Sequence, residues 1–193
     1  MVEGLAVNPD EWIKALEQAF DGVVRSSTSL HQFLLTDQFG MSRCITNKEW
    51  TQAGKSRLDF KWQDIPDSEI EECGCLLAHM QAEEFQYFLP AYMRYSVQHY
   101  QKSILETDLI GSVVFSLNPS CNSKHDALYA YSVRQLSLLN EAQNSVVVQF
   151  LYFVATSADY AQRPDAVKAL ERYWKKASPQ TFDLKIISSI ILP

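Results

Sequence analysis

Glycine is scarce in this chain, 6 residues in 193, and cysteine scarcer still at 4. So few glycines leave no phosphate-cradling loop and no dinucleotide fingerprint, and neither a Gly-x-Ser-x-Gly elbow nor a His-Glu-x-x-His pair is present. Cys44, Cys73, Cys75 and Cys121 lack the Cys-x-x-Cys spacing of zinc or redox motifs, so they read as thiols of a reducing compartment. No apolar run reaches the roughly 18 residues of a membrane span, and the start Met-Val-Glu-Gly has neither the basic nor the apolar part of a secretory signal. The expectation is a cytoplasmic protein without a membrane partner. Positive charge is also short: 17 Lys and Arg against 23 Asp and Glu leave a net charge of -6, which disfavours nucleic acid.

What is present is the composition of a folded domain, 47% hydrophobic and 12% aromatic. At this length a core forms without disulfide or metal, so residues 1–193 are expected to make one domain. Helix starts are written locally. Asn8-Pro9-Asp10-Glu11 combines a cap, a proline suited to the first helical position and acids near the positive end of the dipole. Ser29 with Gln32, and Thr46 with Glu49, have capping-box spacing, and Asn140 with Gln143 opens a further helix. Apolar residues at helical spacing mark 81–103, 140–157 and the stretch after Pro164, in which Val167, Leu170, Tyr173 and Trp174 face inward.

The fold class is therefore all-α or mostly α, a compact bundle of about six or seven helices. At most one short extended pairing is expected, at the β-prone Val113–Phe115. Pro90 predicts a kink or two helices meeting at Leu89-Pro90, and Phe60 and Trp62 are expected to be buried. The apolar tail 184–193 should dock on the core or on a second copy of the chain, giving a homodimer.

Candidate chemistry is sparse. His31, one turn into a capped helix, is the sole catalytic candidate, set against a packing or capping role. Cys75, His79 and Glu83 would share a helix face only if the helix were unbroken, and Gly74 argues against that; no metal and no cofactor is expected. Tyr87, Pro90 and Tyr95 could line a ligand pocket at the proline, set against the reading that most of the aromatic group there is core with Tyr87 and Tyr95 its most exposed members. Between Asp64 and Met93 stand seven carboxylates and no Lys or Arg. Asp67, Glu69, Glu71, Glu72, Glu83 and Glu84 are thus the expected contacts for a basic protein partner, against the alternative of a solvated face.

Three segments carry a resemblance. Ser29-Leu30-His31-Gln32, then Trp62-Gln63-Asp64-Ile65-Pro66 with Ile70-Glu71, then Phe85-Gln86-Tyr87-Phe88-Leu89-Pro90-Ala91-Tyr92-Met93 together resemble an uncharacterised bacterial family known only as a domain of unknown function. Leu138–Gln143, Phe150–Phe153 and Leu170–Trp174 extend the likeness into the C-terminal half. The resemblance implies a small, mainly helical protein and assigns no reaction. Members usually have acidic side chains after Ser-Leu-His, where this chain has Gln32, Phe33, Leu34 and Leu35, so the expectation is against any activity that needs carboxylates beside His31. The function expected is an interaction protein with an acidic surface, a toxin-neutralising immunity protein being one form. The alternative is an enzyme or ligand binder at the Pro90 pocket, using His31, Tyr87 and Glu84.

Overall fold

The computed structural model describes residues 8–74, 76–102, 108–119, 127–156 and 161–177. Every regular element among them is helical. The first helix, α1 (Pro9–Ala19), starts where Asn8 Oδ1 accepts from the Asp10 amide at 3.0 Å and buries Trp12 and Leu16. Gly22 at φ 70° turns the chain out of it, in the left-handed region that favours glycine. Reciprocal capping boxes then open α2 (Leu30–Phe39) at Ser29 and α3 (Asn47–Lys55) at Thr46. Gln32 also donates to the Trp50 carbonyl at 3.1 Å, so one capping residue joins both helices.

A single 3-10 turn, Trp62–Asp64, leads into the short α4 (Asp67–Glu72), and a second such turn, Leu76–His79, precedes α5 (Ala82–Gln98). In α5 every residue from Tyr87 to Met93 is buried. The expected break is corrected: Pro90 lies inside one continuous helix. Burial on all sides supplies the packing that offsets the hydrogen bond the imino acid cannot make. Next come α6 (Leu109–Ser116), α7 (Ala127–Leu136), α8 (Glu141–Thr156) and α9 (Arg163–Ala169). The last runs on through a π-type segment, Leu170–Trp174, into Lys175–Ala177.

The α5 and α8 helices form the centre. Trp12 joins α1 to α8 by donating to the Val146 carbonyl at 3.1 Å, and Trp174 joins the last helix to the end of α6 by donating to the Leu117 carbonyl at 2.8 Å. Gln86 on α5 reaches the Leu138 carbonyl and Gln143 Oε1, at 2.8 and 2.9 Å, where α8 begins. Two sequence expectations fail here. Val113–Phe115 belongs to helix α6, because Leu109, Val113 and Val114 pack into the core and tertiary burial outweighs the weak strand preference of β-branched residues. Phe60 is 85% exposed, while Trp62 is buried and donates to the Phe20 carbonyl at 3.0 Å. The tail 184–193 lies outside the described residues.

Candidate functional site

Four segments bring ionisable groups together: the loop after α1, the start of α2, the link after α3, and α4. Arg57 lies in that link with its guanidinium forked onto Asp59, at 2.7 and 2.6 Å. The same guanidinium donates to the carbonyls of Ser26 and Thr28, which fastens the link to the loop after α1. Tyr87 of α5 donates its hydroxyl to Asp59 from within the core, and Arg25 Nε stands 3.5 Å from the same carboxylate. Asp59 is 2% exposed.

Burial alone would raise the Asp59 carboxyl, yet the hydrogen bonds from Arg57 and Tyr87, with the charges of Arg57 and Arg25, hold it below the usual carboxylate range. Burial and the bond to Asp59 together raise the Tyr87 phenol. This is an ionised, closed pair with a neutral tyrosine.

Beside it His31 stands between two carboxylates of α4, one turn apart. Its Nδ1 lies 3.3 Å from Glu69 Oε1 and its Nε2 3.5 Å from Glu72 Oε2. The expectation that His31 lacks carboxylates beside it is corrected, because α4 delivers two from elsewhere in the chain. Glu69 is only 6% exposed and Nδ1 of His31 is buried without a well-aligned hydrogen bond. Burial pushes the Glu69 carboxyl up, while the charge of His31 pulls it back and that of Asp59 adds to the rise.

A carboxyl raised in the folded state contributes stability below its unfolded value and loses it as pH rises through the folded one. At neutral pH the charge on Glu69 therefore costs stability. Glu69→Gln should melt higher than wild type at pH 7, by an increment on the order of 1 kcal/mol, and the gap should close towards pH 4. A variant that melts lower at pH 7 would show that the attraction to His31 outweighs burial.

The other acidic residues are mostly engaged within the chain. His99 Nε2 is 2.7 Å from Asp67, Lys102 Nζ is 2.7 Å from Glu71, and Tyr95 also donates to Glu71. The bond from Lys102, then that from Tyr95, hold Glu71 below the usual range. Glu84 accepts the Gln81 amide at 2.8 Å at the start of α5. Of the six expected contact residues, Glu72 and Glu83 are exposed and accept no hydrogen bond among the described residues, Glu72 standing only 3.5 Å from His31. Part of the acidic run is thus met by Lys102, His31 and His99, which come from other segments of the chain.

Tyr87, Pro90 and Tyr95 are buried, in keeping with the core reading of this aromatic group, and the expectation that the two tyrosines are its most exposed members is corrected. Their rings fill the core and their hydroxyls end on Asp59 and Glu71. His79 ends a 3-10 turn and Glu83 belongs to the next helix, so the two do not share one helix face. His79 lies 3.4 Å from Asp37 instead, and Cys75 is outside the described residues. No metal-binding group of three side chains occurs among the described residues. Burial, and then the charges of Glu69 and Glu72, push the Cys73 thiol up to about 12, which makes it a packing residue rather than a nucleophile. A cavity of about 840 Å³, with His79 on its wall, lies between the Leu76–His79 turn, α6 and the start of α9.

A family model matches residues 8–178, which takes in every element described. The chain belongs to the family of unknown function DUF6714. No curated protein and no solved structure matches it. In this DUF6714 member the Trp62–Pro66 segment does structural work: Trp62 and Ile65 are buried, and Arg94 of α5 donates to the carbonyls of Gln63 and Ile65, both at 2.9 Å. Sequence reasoning passed over Arg57 and Asp59 altogether. The available signal was the alternation Arg57-Leu58-Asp59-Phe60, whose charged residues turn inward.

Proposed function

We propose that this protein is a cytoplasmic interaction protein that binds a basic protein partner, of which toxin neutralisation is one form. The observation that carries the proposal is the exposure of Leu58 and Phe60, 72% and 85%, on a segment fixed from beneath by Arg57 and Asp59. Large apolar side chains on a segment anchored in this way are presented rather than collapsed, and aromatic anchors dominate protein interfaces. Val24, also exposed, lies on the neighbouring loop that Arg57 ties down. Asp64, which accepts the Phe60 and Lys61 amides, supplies negative charge beside Phe60, and α4 adds the exposed carboxylate of Glu72. An apolar centre with an acidic rim suits a partner that has an apolar patch flanked by Lys or Arg. The unpaired thiols Cys44 and Cys73 support a reducing compartment.

The structure also changes which variants test the reading. Reversing charge at Glu69 or Glu71 would break contacts inside the fold, so the informative positions are Leu58, Phe60 and Glu72. Leu58→Ser with Phe60→Ser should leave the melting temperature unchanged. It should abolish recovery of a basic protein that wild type captures from the native host, with purified affinity down at least about tenfold. Glu72→Lys should slow association, and the slowing should shrink as salt is raised. Recovery of the same proteins at the same affinity by the double variant would overturn the proposal.

A further inference from the structure

His31 has a carboxylate at each ring nitrogen, and both come from the short helix α4. Nδ1 faces Glu69 at 3.3 Å and Nε2 faces Glu72 at 3.5 Å. The two ends differ in their access to water. Nδ1 is buried against the buried Glu69, whereas the Glu72 side chain is 58% exposed. Glu69 has no other ion-pair partner among the described residues, because the guanidinium of Arg57 is forked onto Asp59.

Two carboxylates at two ring nitrogens need two donors. With one proton beyond those of the neutral ring, both contacts are closed, either by an imidazolium or by Nε2–H together with a protonated Glu69, and that proton belongs to the pair and not to one residue. Without it the ring has a single N–H. Turned to Glu72, it sets a lone pair against Glu69; turned to Glu69, it lets Glu72 go to water. In both cases Glu69 keeps a buried charge with no cation in contact. His99 differs: among the described residues only Asp67 stands at its Nε2, at 2.7 Å, and a neutral ring can still donate there. The remaining ionisable groups around the pair have other partners or titrate elsewhere. Asp59, ionised on Arg57 with Arg25 nearby, adds like charge to Glu69, while burial raises the Tyr87 phenol and pushes the Cys73 thiol up to about 12. The bond from Lys102 holds Glu71 low, and on α2 itself Asp37 faces His79.

We infer that His31 and Glu69 form a proton-operated latch, which holds α4 against the start of α2 while the shared proton is present and releases it as pH rises through the neutral range. The sign agrees with that of a carboxyl raised by burial, whose contribution is present at low pH and lost as pH rises. The latch is a property of the unbound protein and does not depend on the docking surface at Leu58 and Phe60.

Amide hydrogen exchange of the full chain tests it, read at Ile70 and Cys73, whose amides bond to the Pro66 and Glu69 carbonyls at 3.3 and 3.0 Å. After correction for the intrinsic exchange rate, their protection should fall tenfold or more between roughly pH 5.5 and pH 8.5, the effect of losing a charged hydrogen bond. Throughout, α4 should stay less protected than α8, because it opens by itself. His31→Gln has no imidazole to titrate and should make the protection independent of pH. Glu69→Gln should do the same with α4 kept closed, since its amide donates to the ring at every pH. His99→Gln should leave the fall in place. Should His31→Gln fail to fold, Glu69→Gln decides in its place. Protection independent of pH in wild type, a fall that survives His31→Gln or Glu69→Gln, a fall abolished by His99→Gln, or α4 amides that exchange only together with those of α8 would each overturn the inference.

Discussion

Asp59→Asn should cost the protein about 3–5 kcal/mol, measured as loss of unfolding free energy in urea. The amide cannot hold the Arg57 fork, and the Arg57 side chain, 7% exposed, would be left as an uncompensated charge beneath Leu58. Tyr87→Phe removes one hydrogen bond to the same carboxylate and should cost less, about 1.5–3 kcal/mol. Because both act on Asp59, the double variant should lose less than the sum. Replacing the pair together, Arg57→Met with Asp59→Leu, should recover much of the loss, since well-packed apolar residues often match a buried ion pair. A cost under about 1 kcal/mol for Asp59→Asn would show that the pair does not anchor this segment.

The pH dependence has the opposite sign from that of Glu69. Asp59 is lowered in the folded state, so its contribution is present above the unfolded carboxyl value and is lost as pH falls through the folded one. Wild type should therefore lose stability steeply on acidification below about pH 4, and Asp59→Asn should show a shallower acid limb.

The second large effect is expected at Trp62. Its side chain is 1% exposed, donates to the Phe20 carbonyl and lies under Arg94, whose guanidinium carbon is 5.7 Å from the ring centre. Trp62→Ala opens a cavity where the loop after α1, the 3-10 turn and α5 meet, and should cost about 3–5 kcal/mol. Trp62→Phe keeps most of the apolar area and leaves the Phe20 carbonyl with only the long bond from the Val23 amide, at 3.5 Å, so about 1–3 kcal/mol is expected. Equal losses in the two variants would place the stabilisation in the hydrogen bond and not in packing.

These two positions differ in how visible they are in the amino-acid sequence. Trp62 stands out as a large aromatic before Ile65-Pro66, and its burial follows from size and hydrophobicity. Phe60 fits the same description and is exposed. The difference is that the segment before it is registered by Arg57 and Asp59, whose inward turn sends Leu58 and Phe60 outward along an extended chain. An alternation of charged and apolar residues ordinarily buries the apolar ones, and only a partner such as Tyr87, 28 residues away, reverses it. Val113–Phe115 was obscured for a related reason, since eight residues hold too little local preference to outweigh what the neighbouring helices bury.

Caps, helix periodicity and net charge were fixed by chemistry that acts within a few residues. Asn8, Ser29, Thr46 and Asn140 each hydrogen-bond an amide two or three positions on, so their helices begin where the letters place them. Which carboxylates are free, which tyrosines end on them and where His31 finds its acidic neighbours depend on contacts between residues tens of positions apart. Those contacts exist only once α2, α4 and α5 are packed, because a charge is matched by whatever the fold sets beside it and not by its neighbours along the chain.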